Sequence, residues 1–142
     1  AKLERKLEVH PLFRERFVLG CSANHPLAAA MTVRNEDVAE FPFVDRLKCE
    51  FRERILDHFA RRGLVVQPRF RSGREDWVQQ VVADSYAVCI LPERSAMAHG
   101  LITRPIEGFD LEREVVIATV SGSTAPVEIR RIAHLAAGYA WS

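Results

Sequence analysis

Apolar residues fall in short blocks that alternate between extended-looking runs and stretches of helical period, and this alternation predicts an α/β architecture. Leu7–Phe13 and Arg16–Ser22 read as two consecutive extended segments, the second carrying Phe17, Val18, Leu19 and Cys21 and broken by Asn24-His25-Pro26. A short helix over Asn35–Ala39 must stop near Phe41, because Pro42 disfavours helical backbone in the residue before it. Phe43–Asp45 then reads as a buried strand end.

The clearest helical pattern runs from Glu50 to Arg62, with Phe51, Ile55, Leu56 and Phe59 on one face, Arg52, Arg54, Asp57 and Arg61 elsewhere, and Gly63 placed as a left-handed C-cap. Val65–Phe70 follows as a strand. Ser72-Gly73-Arg74-Glu75 has the Ser-x-x-Glu spacing of a reciprocal capping box, so a helix is predicted to start here and run through Trp77, Val78, Val81 and Val82 to Ala83. Ala87–Leu91 is an apolar strand stopped by Pro92. A helical piece near Arg94–His99, strands near Leu101–Pro105 and Glu114–Val120, and a helix from Pro126 to Ala140 complete the pattern. No internal repeat, low-complexity stretch or long linker interrupts it.

At 142 residues and 48% apolar, the chain is one compact domain or a large piece of one, and a multidomain enzyme is excluded. Lys and Arg total 20 against 19 for Asp and Glu, a formal charge of +1 that gives no global reason to bind nucleic acid or an anionic membrane. No apolar run approaches the roughly 20 residues that span a bilayer, so a soluble chain is expected. Cys21, Cys49 and Cys89 stand in no metal-ligand spacing, which makes reduced, cytosolic thiols the default. No secretory pattern opens the sequence. Lys2-Leu3-Glu4-Arg5-Lys6 leads straight into the paired extended segments with nothing before them to cover a sheet face, which suggests a fragment of something larger.

Candidate chemistry gathers at two predicted helix starts. Arg46, Lys48, Arg71 and Arg74 lie there beside free backbone amides, a combination that suits a carboxylate or other anion, though solvated arginines are common in a chain with 17 Arg to 3 Lys. Ser72 has a competing duty as a cap, and Glu75 and Asp76 are available to pair with Arg74. Cys49, at the start of the strongest helix, is near cations that favour thiolate and next to Glu50, which opposes it; a small residue lining or packed beneath a cleft is the plainer reading. His58 lies nine residues on, about half a turn round the axis and roughly 13 Å along it, so the pair cannot act as nucleophile and base. The five histidines show no metal-ligand spacing, and no cofactor is indicated. Trp77 on the apolar helix face reads as a core or interface anchor.

The order Leu7-Glu8-Val9-His10-Pro11-Leu12-Phe13, Phe17-Val18-Leu19, His25-Pro26-Leu27-Ala28, Phe43-Val44, then Val82-Ala83 leading to Ile90-Leu91-Pro92, resembles the effector-binding domain of LysR-type transcriptional regulators over nearly the whole chain. The resemblance implies a type 2 periplasmic-binding-protein-like fold, a mixed sheet flanked by helices, with a ligand cleft between two lobes. On that mapping residues 1–102 form the second lobe with its entering crossover strand. Residues 103–142 supply the exit crossover and the C-terminal part of an incomplete first lobe, and the winged helix-turn-helix and the opening half of that lobe are missing. Where the family has glycines before the Leu-Pro strand, this chain has Ser85 and Ala87 around Tyr86. The implied function is non-enzymatic sensing of a small, anionic effector held by the loops carrying Arg46, Lys48, Cys49 and Phe51 and Arg71, Ser72, Arg74 and Trp77. The setting would be a cytoplasmic homodimer or tetramer that touches DNA only through a helix-turn-helix module. Cys49 also resembles the peroxide-reactive cysteine of one branch of the family, but His58 stands where that branch has its second cysteine. A thiol redox sensor of the same fold, and a solute-binding lobe or enzyme, are the alternative readings.

Overall fold

The computed structural model describes residues 7–120 and 127–141. The elements, in order, are strand β1 (Leu7–Ser22), a 3-10 turn (Pro26–Ala29), helix α1 (Asn35–Ala39), β2 (Phe43–Arg46), α2 (Arg52–Ala60), β3 (Pro68–Ser72), α3 (Glu75–Ala83), β4 (Cys89–Pro92), a second 3-10 turn (Glu93–Ser95), β5 (Leu101–Arg104), β6 (Glu112–Val120) and α4 (Val127–Ala137). The start expected for the last helix, at Pro126, lies outside the described residues.

By its contacts the chain divides into two compact units, one formed by Arg16–Glu112 and the other by the segments up to Glu15 and from Arg113 onward. The expected change of lobe at residues 102–103 falls inside β5, within the first of these.

In the Arg16–Glu112 unit, β1 runs antiparallel to β4 on one side, with Leu19 opposite Ile90, and to β5 on the other, with Gly20 opposite Thr103. β2 and β3 are parallel, and a single parallel bridge from Phe43 to Val88 joins β2 to the segment entering β4, so the sheets are mixed. Successive residues of β1 point to opposite faces, and both faces are buried. Phe17, Leu19 and Cys21 pack with Ile55 and Phe59 of α2, while Val18 packs with Val78 and Val82 of α3. One helix therefore covers each face. Gly20 lies on the α3 face, where a Cβ would come within 2.8 Å of Leu91 Cδ2.

In the other unit, β6 pairs with β1. Glu15, nearly fully buried, is held by Arg113 at 2.7 Å, and Phe13 packs on Trp141 with ring centroids 5.3 Å apart.

Four local expectations change, the first being that the helical piece expected near Arg94–His99 is only the 3-10 turn Glu93–Ser95. The segments expected at Leu7–Phe13 and Arg16–Ser22 are one continuous strand, because the ion pair with Arg113 lets Glu15 stay in the sheet. β3 starts at Pro68, after an extended approach in which Val65 is exposed. The capping box at Ser72–Glu75 does not form: α3 begins two residues later than that box requires, at Glu75, with Arg74 as N-cap. Ser72 Oγ accepts from the Arg74 amide at 3.0 Å, and Glu75 turns away to Arg46. Gly63, at φ +69°, follows α2 as expected.

Candidate functional site

The parallel pairing of β2 and β3 sets Asp45 beside Arg71 and Arg46 beside Ser72, so both strands end at the same edge. Loops leaving the carboxyl ends of parallel strands are the usual ligand-binding edge of an open α/β sheet. The Leu47 amide donates to the Ser72 carbonyl at 3.1 Å and ties the two loops together, and the Lys48 stem lies over Gly73, its Cε 3.1 Å from where a Cβ would sit. Neither α2 nor α3 has a side-chain cap from its N-cap residue; the Arg52 amide donates to the Cys49 carbonyl at 3.2 Å, and the Asp76 carboxylate accepts from its own amide and that of Trp77.

These elements enclose a cavity of about 300 Å³ lined by Arg46, Lys48, Cys49, Ser72, Gly73, Glu75 and Ser95. Arg46 is mostly buried and held by the protein through Nε and Nη1. Its Nε donates to both Glu75 carboxylate oxygens at 2.9 Å, and its Nη1 donates to the Ile90 carbonyl at 3.2 Å. Burial works against the guanidinium charge, but the Glu75 carboxylate outweighs it and holds the Arg46 pKa above its ordinary value. Gln79, buried on α3, extends the network: its Nε2 donates to Glu75 at 3.3 Å and to the Ser95 carbonyl at 2.7 Å, and its Oε1 accepts from the Met97 and Ala98 amides. Lys48 has no ion-pair partner among the described residues.

Of the residues singled out in the sequence, Arg46, Lys48, Cys49 and Ser72 meet at this cavity, and the others face elsewhere. Phe51 packs edge-on against Phe17 at 5.2 Å. Arg71 reaches Asp45 at 3.6 Å, a buried carboxylate already gripped by Arg52 through two hydrogen bonds of 2.7 and 2.6 Å. Arg74 pairs with Asp76 at 2.8 Å and lies 4.5 Å over the Trp77 ring. Trp77 is not in the core; it is 54% exposed, because α3 turns Val78 and Val82 inward instead.

Glu75, Gly73 and Ser95 escaped the sequence reading. The Ser-x-x-Glu spacing misdirected Glu75 into a capping role, and nothing in the sequence ties Ser95 to residues more than twenty positions away. Cys49 is half-buried, whereas burial pushes Cys21 up to about 11 and Cys89 up to about 12, so both are poor thiolates. His58 contacts Asn35 and Arg62 rather than Cys49. Among the described residues no three His, Cys, Asp or Glu side chains converge on a metal-binding position, and no helix is long and apolar enough to cross a membrane.

The family model for the LysR substrate binding domain matches residues 2–140. No protein of curated function matches the sequence at a significant level. Among solved structures, the regulatory domain of CcmR from Synechocystis PCC6803 in complex with 2-PG superposes with TM-score 0.75 at 20% identity, over 96% of this chain and 68% of that one. The effector binding domain of QuiR in complex with shikimate gives TM-score 0.71 at 18% identity, over 96% and 66%. HinK, a LysR family transcriptional regulator from Pseudomonas aeruginosa, gives 0.75 at 16%, over 96% and 49%. The chain thus spans about half to two thirds of the length of these solved chains. These relatives are regulator domains rather than enzymes, and their α/β fold is the one described above. With the family match running over nearly its full length, the chain belongs to the LysR substrate binding domain family, the ligand-sensing part of LysR-type transcriptional regulators.

Proposed function

We propose that this chain senses a small anion, non-covalently and without catalysis, through the cavity at the carboxyl ends of β2 and β3. The observation that carries this reading is Lys48: Arg46 and Glu75 neutralise each other, so the uncompensated ammonium leaves the cavity with one net positive charge. A cavity of about 300 Å³ is at the small end of ligand pockets and suits a compact carboxylate or phosphate ester. Related regulator domains hold 2-PG and shikimate, which accords with a small effector.

A ligand bound only by the folded state raises stability, by about 2.7 kcal/mol at a hundredfold excess over Kd. In the full regulator such binding shifts a conformational equilibrium that a helix-turn-helix module elsewhere reads out on DNA, within a cytoplasmic homo-oligomer. A disulfide switch is disfavoured, because Cys21 and Cys89 are buried and the residue nine positions after Cys49 is His58, not a thiol. A thermal-shift screen of small carboxylates and phosphate esters tests the reading. At least one anion should raise the melting temperature of the wild type and lose that effect in Lys48→Ala. A hit that survives Lys48→Ala unchanged, or a hit set made only of neutral molecules, overturns it.

A further inference from the structure

A second groove, of about 500 Å³, lies in the Arg16–Glu112 unit between α2 and the Gly108–Leu111 segment, and shares no lining residue with the first cavity. Its charged lining is Arg54, Arg61 and Arg62 against Asp57 and Asp110, three guanidiniums to two carboxylates, with His58 between them. Arg54 and Arg61 are two helical turns apart and share a face. Asp57 is taken by Arg61 at 2.7 Å. Arg54 rests 5.2 Å over the Phe51 ring and has no carboxylate partner among the described residues.

Arg62 and His58 are held by a chain of polar contacts. Arg62 Nη1 donates to His58 Nδ1 at 3.1 Å and to the His58 carbonyl at 3.0 Å, leaving its Nε and Nη2 donors without a partner among the described residues. Since Nδ1 accepts, the ring carries its proton on Nε2, which donates to Asn35 Oδ1 at 2.8 Å; Asn35 Nδ2 donates in turn to the Glu107 carbonyl at 3.1 Å. Asn35 is buried, and the His58 ring packs edge-on against Phe109 at 4.5 Å, so neither partner is free to swing. The groove therefore presents pre-placed guanidinium donors on a rigid floor, with positive charge in excess.

We propose that this groove is a second anion site, separate from the Lys48 cavity, that takes a small multivalent oxyanion such as a di- or tricarboxylate or a phosphate ester. Guanidinium forks match the oxygens of both classes. Filling the site recruits a proton. An oxyanion competes for the Arg62 donor, and the freed Nδ1 takes a proton from solvent and donates to the anion. Burial, then Arg62, holds the empty-site imidazole below its ordinary value of 6.5, with Asp110 opposing. Those are the charged groups bearing on His58 from α2 and from the loop; α1 contributes only the uncharged Asn35.

The experiment is an NMR titration of the His58 imidazole in the wild-type chain, with citrate or inorganic pyrophosphate against chloride at matched ionic strength. Either anion should raise the His58 midpoint saturably, and the tighter of the two identifies the class. Arg54→Ala, which leaves the His58–Asn35 bond in place, should weaken that anion about tenfold, as loss of one charge-assisted contact does. Arg62→Ala should abolish the midpoint shift, and Lys48→Ala should leave it untouched. The proposal is overturned if neither anion moves His58 beyond chloride, if Arg54→Ala and Arg62→Ala bind like wild type, or if Lys48→Ala removes the effect. The last result would place the anion in the other cavity and leave the sensing role of Lys48 standing.

Discussion

Replacing Arg46 by Ala separates a ligand group from a structural pin. The Arg46 side chain is 13% exposed and makes two hydrogen bonds of 2.9 Å to Glu75 and one of 3.2 Å to the Ile90 carbonyl. Breaking a buried pair by removing one partner costs about 3–5 kcal/mol. Here the orphaned carboxylate is 42% exposed and keeps its contact with Gln79, so water recovers part of that loss and roughly 2–3 kcal/mol remains. At roughly 3–5 °C per kcal/mol for a unit of this size, the melting temperature should fall by roughly 6–15 °C.

Glu75→Ala should cost more than Arg46→Ala, because it strands a buried guanidinium rather than a half-exposed carboxylate. Arg46→Met with Glu75→Leu should recover most of the loss, since replacing both charges removes the desolvation penalty along with the attraction. Circular-dichroism melts of the single and paired variants make the comparison, and the paired alanines give the coupling directly. A melt of Arg46→Ala within about 2 °C of wild type would refute the pin, given the coupling expected of a partly buried pair. So would loss of anion binding without loss of stability, because that pattern belongs to Lys48.

Asp45 anchors two arginines unequally. Arg52→Ala should lower the urea midpoint by the equivalent of roughly 2 kcal/mol, as it strands a buried carboxylate; Arg71→Ala, an exposed partner at 3.6 Å, should change it by less than about 0.5 kcal/mol. Native-state alkylation followed by mass spectrometry should label Cys49 well before Cys21 and Cys89, which react only on unfolding; equal labelling of all three would contradict their burial. His25 donates from Nε2 to the Tyr86 carbonyl at 2.9 Å and accepts the Leu27 amide at Nδ1 at 3.0 Å, and burial lowers its pKa below 6.5. Because the unfolded imidazole binds protons first, His25 contributes full stability above about pH 6.5 and loses it as pH falls through the lower folded value. Urea midpoints between pH 7.5 and 5 should therefore decline on acidification, and His25→Asn, which can still accept the Leu27 amide, should flatten that slope.

The helices over 52–60 and 75–83 and the strands around Phe43, Cys89, Leu101 and Glu114 were legible because each sets apolar residues at a period that only one backbone geometry buries. Misreadings fell where a distant partner overrides a local signal. Arg14-Glu15-Arg16 looks like a break, yet Arg113 satisfies Glu15 and the strand runs through. Ser72 and Glu75 have the spacing of a cap, yet the buried guanidinium of Arg46 is a stronger partner for Glu75 than a backbone amide. At the candidate site the sequence placed four cations at two loops and could not rank them, because rank depends on which carboxylates lie within reach. Asp45 takes Arg71, Glu75 takes Arg46 and Asp76 takes Arg74, so the charge left for a ligand is the one on the compact, flexible Lys48.

That ranking implies a role for Gly73 that its conformation alone does not, since it is not among the positive-φ glycines. A Cβ there would sit 3.1 Å from Lys48 Cε, tighter than ordinary van der Waals contact. The atoms that must give way belong to the far part of a long, exposed side chain, so the clash is relieved by turning the ammonium out of the cavity at little cost to folding. Gly73→Ala should thus melt within about 2 °C of wild type, as surface changes do. It should still bind the anion found by the thermal-shift screen several-fold more weakly, through displacement of Lys48 and with no charge removed. If Gly73→Ala binds that anion as tightly as wild type while Lys48→Ala does not, the ammonium reaches its ligand from a rotamer clear of Gly73, and the packing of Lys48 along this loop is not what aims it.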